Sequence, residues 1–344
     1  MTTFYPGPSQ LYPQVADYLQ DAFNSGILSA NHRSPKCMAL VEETVGLLHE
    51  KLNIPPEFSV YFTSSATECW EIINQSLFSD RVVHLYNGAF GNKWFEYSKK
   101  LAKKECLSIE FAINEILPDF ETQYDDIFCL TQNETSNGTQ ISMDSLAKIG
   151  IENSLKAIDV TSSMAGIVLD WPLADIWFAS VQKCFGLPAG LGIMVCSPKA
   201  IQVAEYCNEQ NHYNSLLVID KNMKLFQTTH TPNVLGIYLL NRVLKQIPNI
   251  NDTSVRIKLQ ARSWYDFLKD RSDFEVLCEN EKVQSDTVIV VKGEPQKIAD
   301  LKKRTIQCGL ILGNGYGEWK DSTFRIANFP AIEPAEIIKL RDCF

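Results

Sequence analysis

Zinc-binding and redox motifs are missing from this sequence. The ten cysteines are dispersed without a Cys-x-x-Cys pair, and no His-Glu-x-x-His segment is present. We therefore expect no metal site, and we interpret most of the cysteines as small core residues. This pattern, together with the missing export signal, fits a reduced, cytoplasmic setting.

Long apolar runs and an excess of basic residues are missing as well. No uncharged stretch is long enough to cross a bilayer, and the N-terminus has no basic segment followed by an apolar one, so we expect neither a membrane span nor an export signal. The net charge is −9 and the basic residues are scattered, which argues against binding to nucleic acid or to an anionic membrane. With 45% apolar residues in 344, the chain can form a large core.

A lysine stands between a short apolar run and a turn rich in glycine and proline. The run 175–179 is bounded like a buried parallel strand, Lys183 follows it, and the Gly/Pro turn covers residues 186–192. Apolar walls would desolvate this lysine, lower its pKa and allow it to form a Schiff base with an aldehyde. Spacing alone favours an ordinary loop lysine, so a Schiff-base role needs support from other parts of the sequence.

An aspartate ends another predicted strand. Residues 155–160 predict a strand that carries Asp159 near its carboxyl end, and a half-buried carboxylate there needs a cationic or donor partner. Because ligands of open α/β sheets bind at the carboxyl edge, Asp159 and Lys183, one strand unit apart, are predicted to open on the same edge of a mainly parallel sheet.

Small hydroxyl residues form a second kind of candidate site. Residues 63–68 lead from a predicted strand (58–62) into a helix, whose free N–H groups would suit a phosphate. A helix cap formed by Thr67 or Ser64 explains the same pattern equally well. Phe90, between two glycines, presents an aromatic face to a flat ligand or belongs to the core. The loop 131–138 is too polar to be buried without partners.

The order of the predicted elements indicates an α/β protein with a second unit. Residues 4–13 contain three prolines and predict an extended arm, and a helix is expected after Pro13. Strands and helices then alternate up to Pro248, after which the pattern predicts a small α+β unit with its first helix over 257–268. We therefore divide the chain into an arm (1–12), a large domain (13–247) and a small C-terminal domain (248–344).

Three motifs occur in order along the chain. They are Phe-Tyr-Pro-Gly-Pro-Ser at 4–9, Asn-Glu-Thr at 133–135 with Gly138, and Gln-Lys at 182–183 with Gly-Leu-Pro-Ala-Gly-Leu at 186–191. Together they resemble the class V aminotransferases of the fold type I pyridoxal phosphate enzymes, most closely the phosphoserine aminotransferase branch. The resemblance covers nearly the whole chain. It implies a central, mainly parallel sheet with helices on both faces, pyridoxal 5'-phosphate as cofactor, and a homodimer with shared active sites.

The same resemblance implies a role for each candidate residue. Lys183 would hold the cofactor covalently and Asp159 would pair with its pyridine nitrogen, and these two are the expected catalytic residues. Arg325 would grip the substrate α-carboxylate, and His32 with Arg33 would reach the substrate phosphate. Further cofactor contacts are expected from Ser65, Ala66, Thr67, Phe90, Thr135 and Gln182, and from His230 and Thr231 of the neighbouring subunit.

Two segments depart from the family pattern. A second His-Arg pair is usual shortly before the carboxylate arginine, whereas residues 315–321 contain only Lys320 as a possible replacement. The phosphate-binding loop also lacks the familiar glycine run. The implied reaction is amino transfer between glutamate and 3-phosphohydroxypyruvate, giving phosphoserine and 2-oxoglutarate. The alternatives are a serine or alanine–glyoxylate aminotransferase, a cysteine desulfurase, for which no cysteine lies in an evident mobile loop, and a binding protein that has lost the chemistry.

Overall fold

The computed structural model describes residues 1–77, 81–101, 105–119, 126–150 and 154–344. Helices in these residues are α1 (Val15–Asn24), α2 (Pro35–Leu52), α3 (Ala66–Ser76), α4 (Ala89–Leu101), α5 (Met143–Leu146), α6 (Pro198–Cys207), α7 (Leu216–Met223), α8 (Val234–Gln246), α9 (Ile250–Lys269), α10 (Pro295–Gln307) and α11 (Pro334–Arg341). The strands are β1 (Thr2–Phe4), β2 (Ser59–Thr63), β3 (Arg81–Tyr86), β4 (Glu105–Glu110), β5 (Ile127–Thr131), β6 (Asn133–Glu134), β7 (Thr139–Gln140), β8 (Leu155–Asp159), β9 (Ile176–Ser180), β10 (Gly192–Cys196), β11 (Phe274–Val276), β12 (Val288–Gly293), β13 (Leu310–Asn314) and β14 (Thr323–Ala327).

The larger sheet carries the site. Its strands lie in the order β2-β10-β9-β8-β5-β3-β4, and only β10 runs against its neighbours. Every residue of β5, β8, β9 and β10 is buried except Lys156, which is half-buried. Because successive side chains of a strand point to opposite faces, burial of nearly all of them means that both faces are covered. The predicted α/β fold with a mainly parallel sheet is confirmed.

The smaller sheet joins both ends of the chain. Its order is β1-β13-β14-β12-β11, in which β1 is parallel to β13 and the remaining pairs are antiparallel. The predicted arm therefore begins with a strand, Thr2–Phe4, that belongs to the sheet of the C-terminal unit. The division at residues 12 and 247 stays a prediction; residues 247–249 connect α8 with α9.

Local signals set most element boundaries. α2 begins at Pro35 after a Ser34 cap and ends at Leu52, because the next residue, Asn53, has a left-handed conformation that stops the helix. The prediction was wrong for α9, which begins at Ile250 rather than near residue 257, because Asn249 caps it through its side chain. None of the helices in the described ranges combines the length and apolar character needed to span a membrane.

Candidate active site

A cavity of about 230 Å³ opens at the carboxyl ends of β5, β8 and β9. These ends meet at one edge because the three strands are adjacent and parallel. The predicted site residues that line the cavity are Ala66, Thr67, Phe90, Thr135, Asp159, Gln182, Lys183 and Arg325. A larger cavity of about 460 Å³ beside His212 contains none of the predicted site residues.

The Lys183 amine is buried in this cavity. The residue is 8% exposed, and its Nζ donates a hydrogen bond to Thr135 Oγ1 at 2.7 Å. Burial lowers the pKa of Lys183 from its ordinary 10.5 to about 8, although the charges of Asp159 and Glu134 act in the opposite direction. A far larger fraction of this amine than of an exposed lysine is therefore unprotonated near neutral pH, which suits attack on an aldehyde.

Asp159 faces the same cavity from the last position of β8. Its Oδ1 accepts a hydrogen bond from the Thr161 amide at 2.9 Å, and the side chain is buried. Burial raises the pKa of Asp159, whereas hydrogen bonds from Thr161 and the positive charge of Lys183 oppose that rise. A carboxyl group in this setting can share a proton with a basic ring nitrogen.

The start of α3 forms one wall. Ser65 is the cap of this helix, with its Oγ accepting from the Glu68 amide at 3.2 Å, so the capping alternative was right about a cap but wrong in assigning it to Thr67 or Ser64. Its β-region backbone lets Ser65 turn its side chain back onto the first turn. The Ala66 amide donates to Ser180 Oγ at 2.8 Å. Ala66 and Thr67 reach the cavity, whereas Ser65 is not in its lining.

Phe90 lies opposite the lysine, in the first turn of α4. The Lys183 Nζ is 5.2 Å from the centre of its ring, and the ring stacks on Tyr316 with 5.1 Å between centroids and 20° between planes. Phe90 is thus a cavity residue and not part of the closed core, which settles the alternative that its sequence setting left open.

Arg325 lies in the middle of β14 and is held by the backbone. Its Nε donates to the Asn314 carbonyl at 2.7 Å and its Nη1 to the Thr135 carbonyl at 3.1 Å. The guanidinium group lies 5.2 Å from the ring centre of Tyr316. Since two of its nitrogens are already fixed, the plane of the guanidinium is oriented before any ligand binds.

The N-terminal arm crosses the lysine loop. The Ser9 amide donates to the Gln182 carbonyl at 3.0 Å, and the Tyr12 amide donates to the Gly186 carbonyl at 3.2 Å. At Gly7 the backbone has φ +141°, and a Cβ there would lie 3.0 Å from Lys183 Cε. Gly7 therefore leaves room for the lysine side chain, a role that the arm's sequence did not predict.

Besides Ser65, five predicted residues lie outside the cavity lining, namely His32, Arg33, His230, Thr231 and Lys320. His32 and Arg33 stand on the turn before α2, and Arg33 is exposed with its amide bonded to Asn31 Oδ1 at 2.8 Å. His230 packs edge-on against Tyr213, and Thr231 is exposed. One protomer thus does not bring these residues together with Lys183.

Lys320 is exposed at the end of the short 3-10 helix Gly317–Trp319. Tyr316, directly before this 3-10 helix, lines the cavity instead, and no sequence pattern had predicted it as a site residue. Lys93, one turn after Phe90 on α4, and Tyr5 of the arm also line the cavity without having been predicted. The position of Lys93 three residues after an aromatic candidate was an available signal, because i and i+3 share a helix face.

Known proteins match this chain over most of its length. The sequence model of the aminotransferase class V family matches residues 2–315. The phosphoserine aminotransferase of Corynebacterium glutamicum (strain R) is 25% identical over 351 residues, covering 97% of this chain and 91% of that protein.

Solved structures share the fold. The structure of a phosphoserine aminotransferase from Cytophaga hutchinsonii has a TM-score of 0.94 at 30% identity, covering 99% of this chain and 97% of that one. A phosphoserine aminotransferase from Trichomonas vaginalis with bound PLP is 18% identical and has the same fold, with a TM-score of 0.83 over 99% of this chain and 98% of that one. Since the family match spans most of the chain and includes the lysine loop, this protein belongs to the class V aminotransferases.

Proposed function

We propose that this protein binds pyridoxal 5'-phosphate covalently at Lys183 and transfers an amino group between L-glutamate and 3-phosphohydroxypyruvate, giving phosphoserine and 2-oxoglutarate. The observation that carries the proposal is the Lys183 amine, which is buried, has a pKa of about 8 and lies with Asp159 at the carboxyl edge of adjacent parallel strands. Relatives named phosphoserine aminotransferase support the choice of substrate.

The cavity lining fits this cofactor. Gln182 Oε1 and Thr131 Oγ1 are buried polar atoms with no hydrogen-bond partner among the described residues, and both residues line the cavity. Leaving such atoms without a partner costs about 1–3 kcal/mol each, so a polar ligand in the cavity would recover part of that energy. Phe90 offers an aromatic face, and the N-terminal end of α3, with its partial positive charge, reaches the cavity at Ala66 and Thr67, where a phosphate would be favoured.

The cofactor, when bound, supplies an electron sink for the bonds of the substrate Cα. Lys183 would hold it and then move the Cα proton, because an amine with a pKa of about 8 exchanges protons readily near neutral pH. Asp159 would keep the ring nitrogen protonated. Arg325, already oriented by two backbone carbonyls, would bind the α-carboxylate through its remaining donors.

A homodimer would complete the site. The predicted segments at 32–33 and 230–231 lie on one face of the protomer, since Ala30 packs with Val234 and Leu235 in the same small cluster. We propose that this face meets the partner's cavity. There His32 and Arg33 would bind the substrate phosphate, and His230 and Thr231 the cofactor phosphate. Lys320 is exposed, and its contribution to phosphate binding stays a prediction.

Substrate comparison tests the proposed reaction. Phosphoserine should be turned over with 2-oxoglutarate much faster than serine or alanine, and the same amino acids should be assayed with glyoxylate. Equal or faster turnover of the unphosphorylated amino acids would refute the phosphoserine assignment and favour the serine or alanine–glyoxylate alternative. A purified protein that takes up no pyridoxal phosphate would instead support a binding protein without this chemistry.

Subunit mixing tests the shared site. Lys183→Ala and Arg33→Ala subunits are each expected to be inactive on phosphoserine as separate homodimers. After mixing and reassembly in equal amounts, half of the dimers carry both variants and one of their two sites is intact, so about a quarter of the wild-type activity should return. Failure to recover activity from subunits that do exchange would contradict a site shared across the dimer.

A further inference from the structure

The Glu134 carboxylate is closed off behind the cavity and fully engaged. The residue is 1% exposed and lies at the end of the short strand β6. Its Oε2 accepts from the amides of Phe90 and Gly91, both at 3.1 Å. Its Oε1 accepts from the Ser136 amide at 3.0 Å and from Ser136 Oγ at 2.6 Å. Four donors thus converge on one carboxylate.

The geometry points to Glu134 as a positioning residue that fixes the first turn of α4 and thereby holds the Phe90 ring against the cofactor. This inference rests on the proposed function, in which Phe90 stacks on pyridoxal phosphate. Glu134 itself is not in the cavity lining, so any effect on the cofactor passes through the turn that it binds.

The backbone of this turn lies directly against the loop 134–136. A Cβ on Gly88 would lie 2.3 Å from Glu134 Cγ, so only glycine permits this approach. The Ala89 amide donates to Ser136 Oγ at 3.0 Å. The amides of residues 89, 90 and 91 are therefore all held by the same loop, where a carboxylate also meets the positive end of the helix.

The number of acceptors explains why a carboxylate is needed. Each Glu134 oxygen receives two N–H or O–H donors, whereas glutamine offers one oxygen and one NH2 group. In a Glu134→Gln variant the NH2 group would replace one of the two carboxylate oxygens, and in either orientation it would face two donors. The amides of Phe90 and Gly91, or the amide and hydroxyl of Ser136, would lose their acceptor. The side-chain volume would stay the same.

Cofactor affinity provides the test. Glu134→Gln, Phe90→Ala and the double variant are titrated with pyridoxal phosphate, and the dissociation constants are compared with thermal midpoints of the cofactor-free proteins. We expect Glu134→Gln to weaken binding about tenfold, the effect of losing roughly one buried hydrogen bond to a charged group. In the Phe90→Ala background, Glu134→Gln should cause little further loss, because the ring that it positions is gone.

Asp175 supplies the matched control. It is a buried carboxylate that accepts from the Lys156 amide at 3.0 Å and from Ser197 Oγ at 2.9 Å, and it lies outside the cavity lining. Asp175→Asn should lower the thermal midpoint as Glu134→Gln does but leave the dissociation constant unchanged. Equal weakening of binding by both variants, or fold-changes for Glu134→Gln and Phe90→Ala that simply multiply, would overturn the inference.

A second variant covers the case in which Glu134→Gln does not fold. Ser136→Ala removes one donor to Glu134 and the acceptor of the Ala89 amide, and it should weaken binding in the same direction, again only while Phe90 is present. An unchanged dissociation constant in Ser136→Ala would count against the inference. A wild-type protein that binds no pyridoxal phosphate would refute the proposed function itself, and the inference with it.

Discussion

The reactivity of Lys183 should depend on pH with a midpoint near 8. Between the ordinary lysine pKa of 10.5 and the value of about 8 in the cavity there are 2.5 pH units, which correspond to an increase of about 300-fold in the unprotonated fraction at neutral pH. At about pH 7, roughly one-tenth of the Lys183 amines are unprotonated, against about 0.03% for an exposed lysine. Only the unprotonated amine attacks an aldehyde.

The assay follows the rate at which cofactor-free protein captures pyridoxal phosphate between about pH 6 and pH 10, with borohydride trapping of the product. The rate should rise about tenfold per pH unit at low pH and level off above about pH 8. Nα-acetyllysine, measured with the same reagent, corrects for the titration of pyridoxal phosphate itself. A Lys183→Ala variant gives the background from other lysines.

Asp159→Asn makes this test more specific, because the direction in which it should shift the pKa of Lys183 is known. The Asp159 charge raises the pKa of Lys183, so its removal should move the midpoint of the rate profile to lower pH. A wild-type rate that keeps rising through about pH 10, as for an exposed amine, would refute the reasoning from burial. A midpoint that moves upward in Asp159→Asn would refute the assigned electrostatic interaction.

Two further predictions concern the substrate and the arm. Arg33→Ala should weaken only phosphorylated substrates, whereas Arg325→Ala should weaken every substrate with an α-carboxylate; identical losses in kcat/KM across both substrate classes would contradict this division. Gly7→Ala should lower kcat/KM roughly tenfold or more, since the new Cβ would lie 3.0 Å from Lys183 Cε and displace the amine. Gly26 also has a positive φ, +69°, but a Cβ there would meet nothing within 4 Å, so Gly26→Ala should lower stability without lowering activity. An equal loss of activity in both variants would contradict the displacement of Lys183 and attribute the Gly7→Ala effect to backbone strain.

The shared position of Asp159 and Lys183 at one edge of the sheet was predictable because it depends on short patterns. Apolar runs of strand length end near Asp159 and Lys183, and parallel neighbours must open on one edge. The structure brings both residues into one cavity. The polar loop 131–138 was expected to need partners, and Asn133 has them: it donates to Ser162 Oγ at 2.7 Å and accepts from Ser285 Oγ at 2.6 Å.

Residues that depend on distant packing were not predictable in this way. Tyr316 reaches Phe90 only because β13 and β14 bring the C-terminal sheet over the cavity, and no local pattern encodes that contact. The Asn-Glu-Thr motif by itself assigns Glu134 no role, although glycines on both sides of Phe90 signal a close backbone approach there. Arg33 and Thr231 are exposed in the protomer, so the roles proposed for them would need a second chain and stay predictions.

Borohydride reduction of the purified, cofactor-loaded protein, followed by peptide mapping, tests the central claim most directly. The account predicts a visible absorption band that is lost on reduction and a single phosphopyridoxyl adduct on the peptide that contains Lys183. A colourless protein that takes up no pyridoxal phosphate, or an adduct on any other lysine, would contradict it.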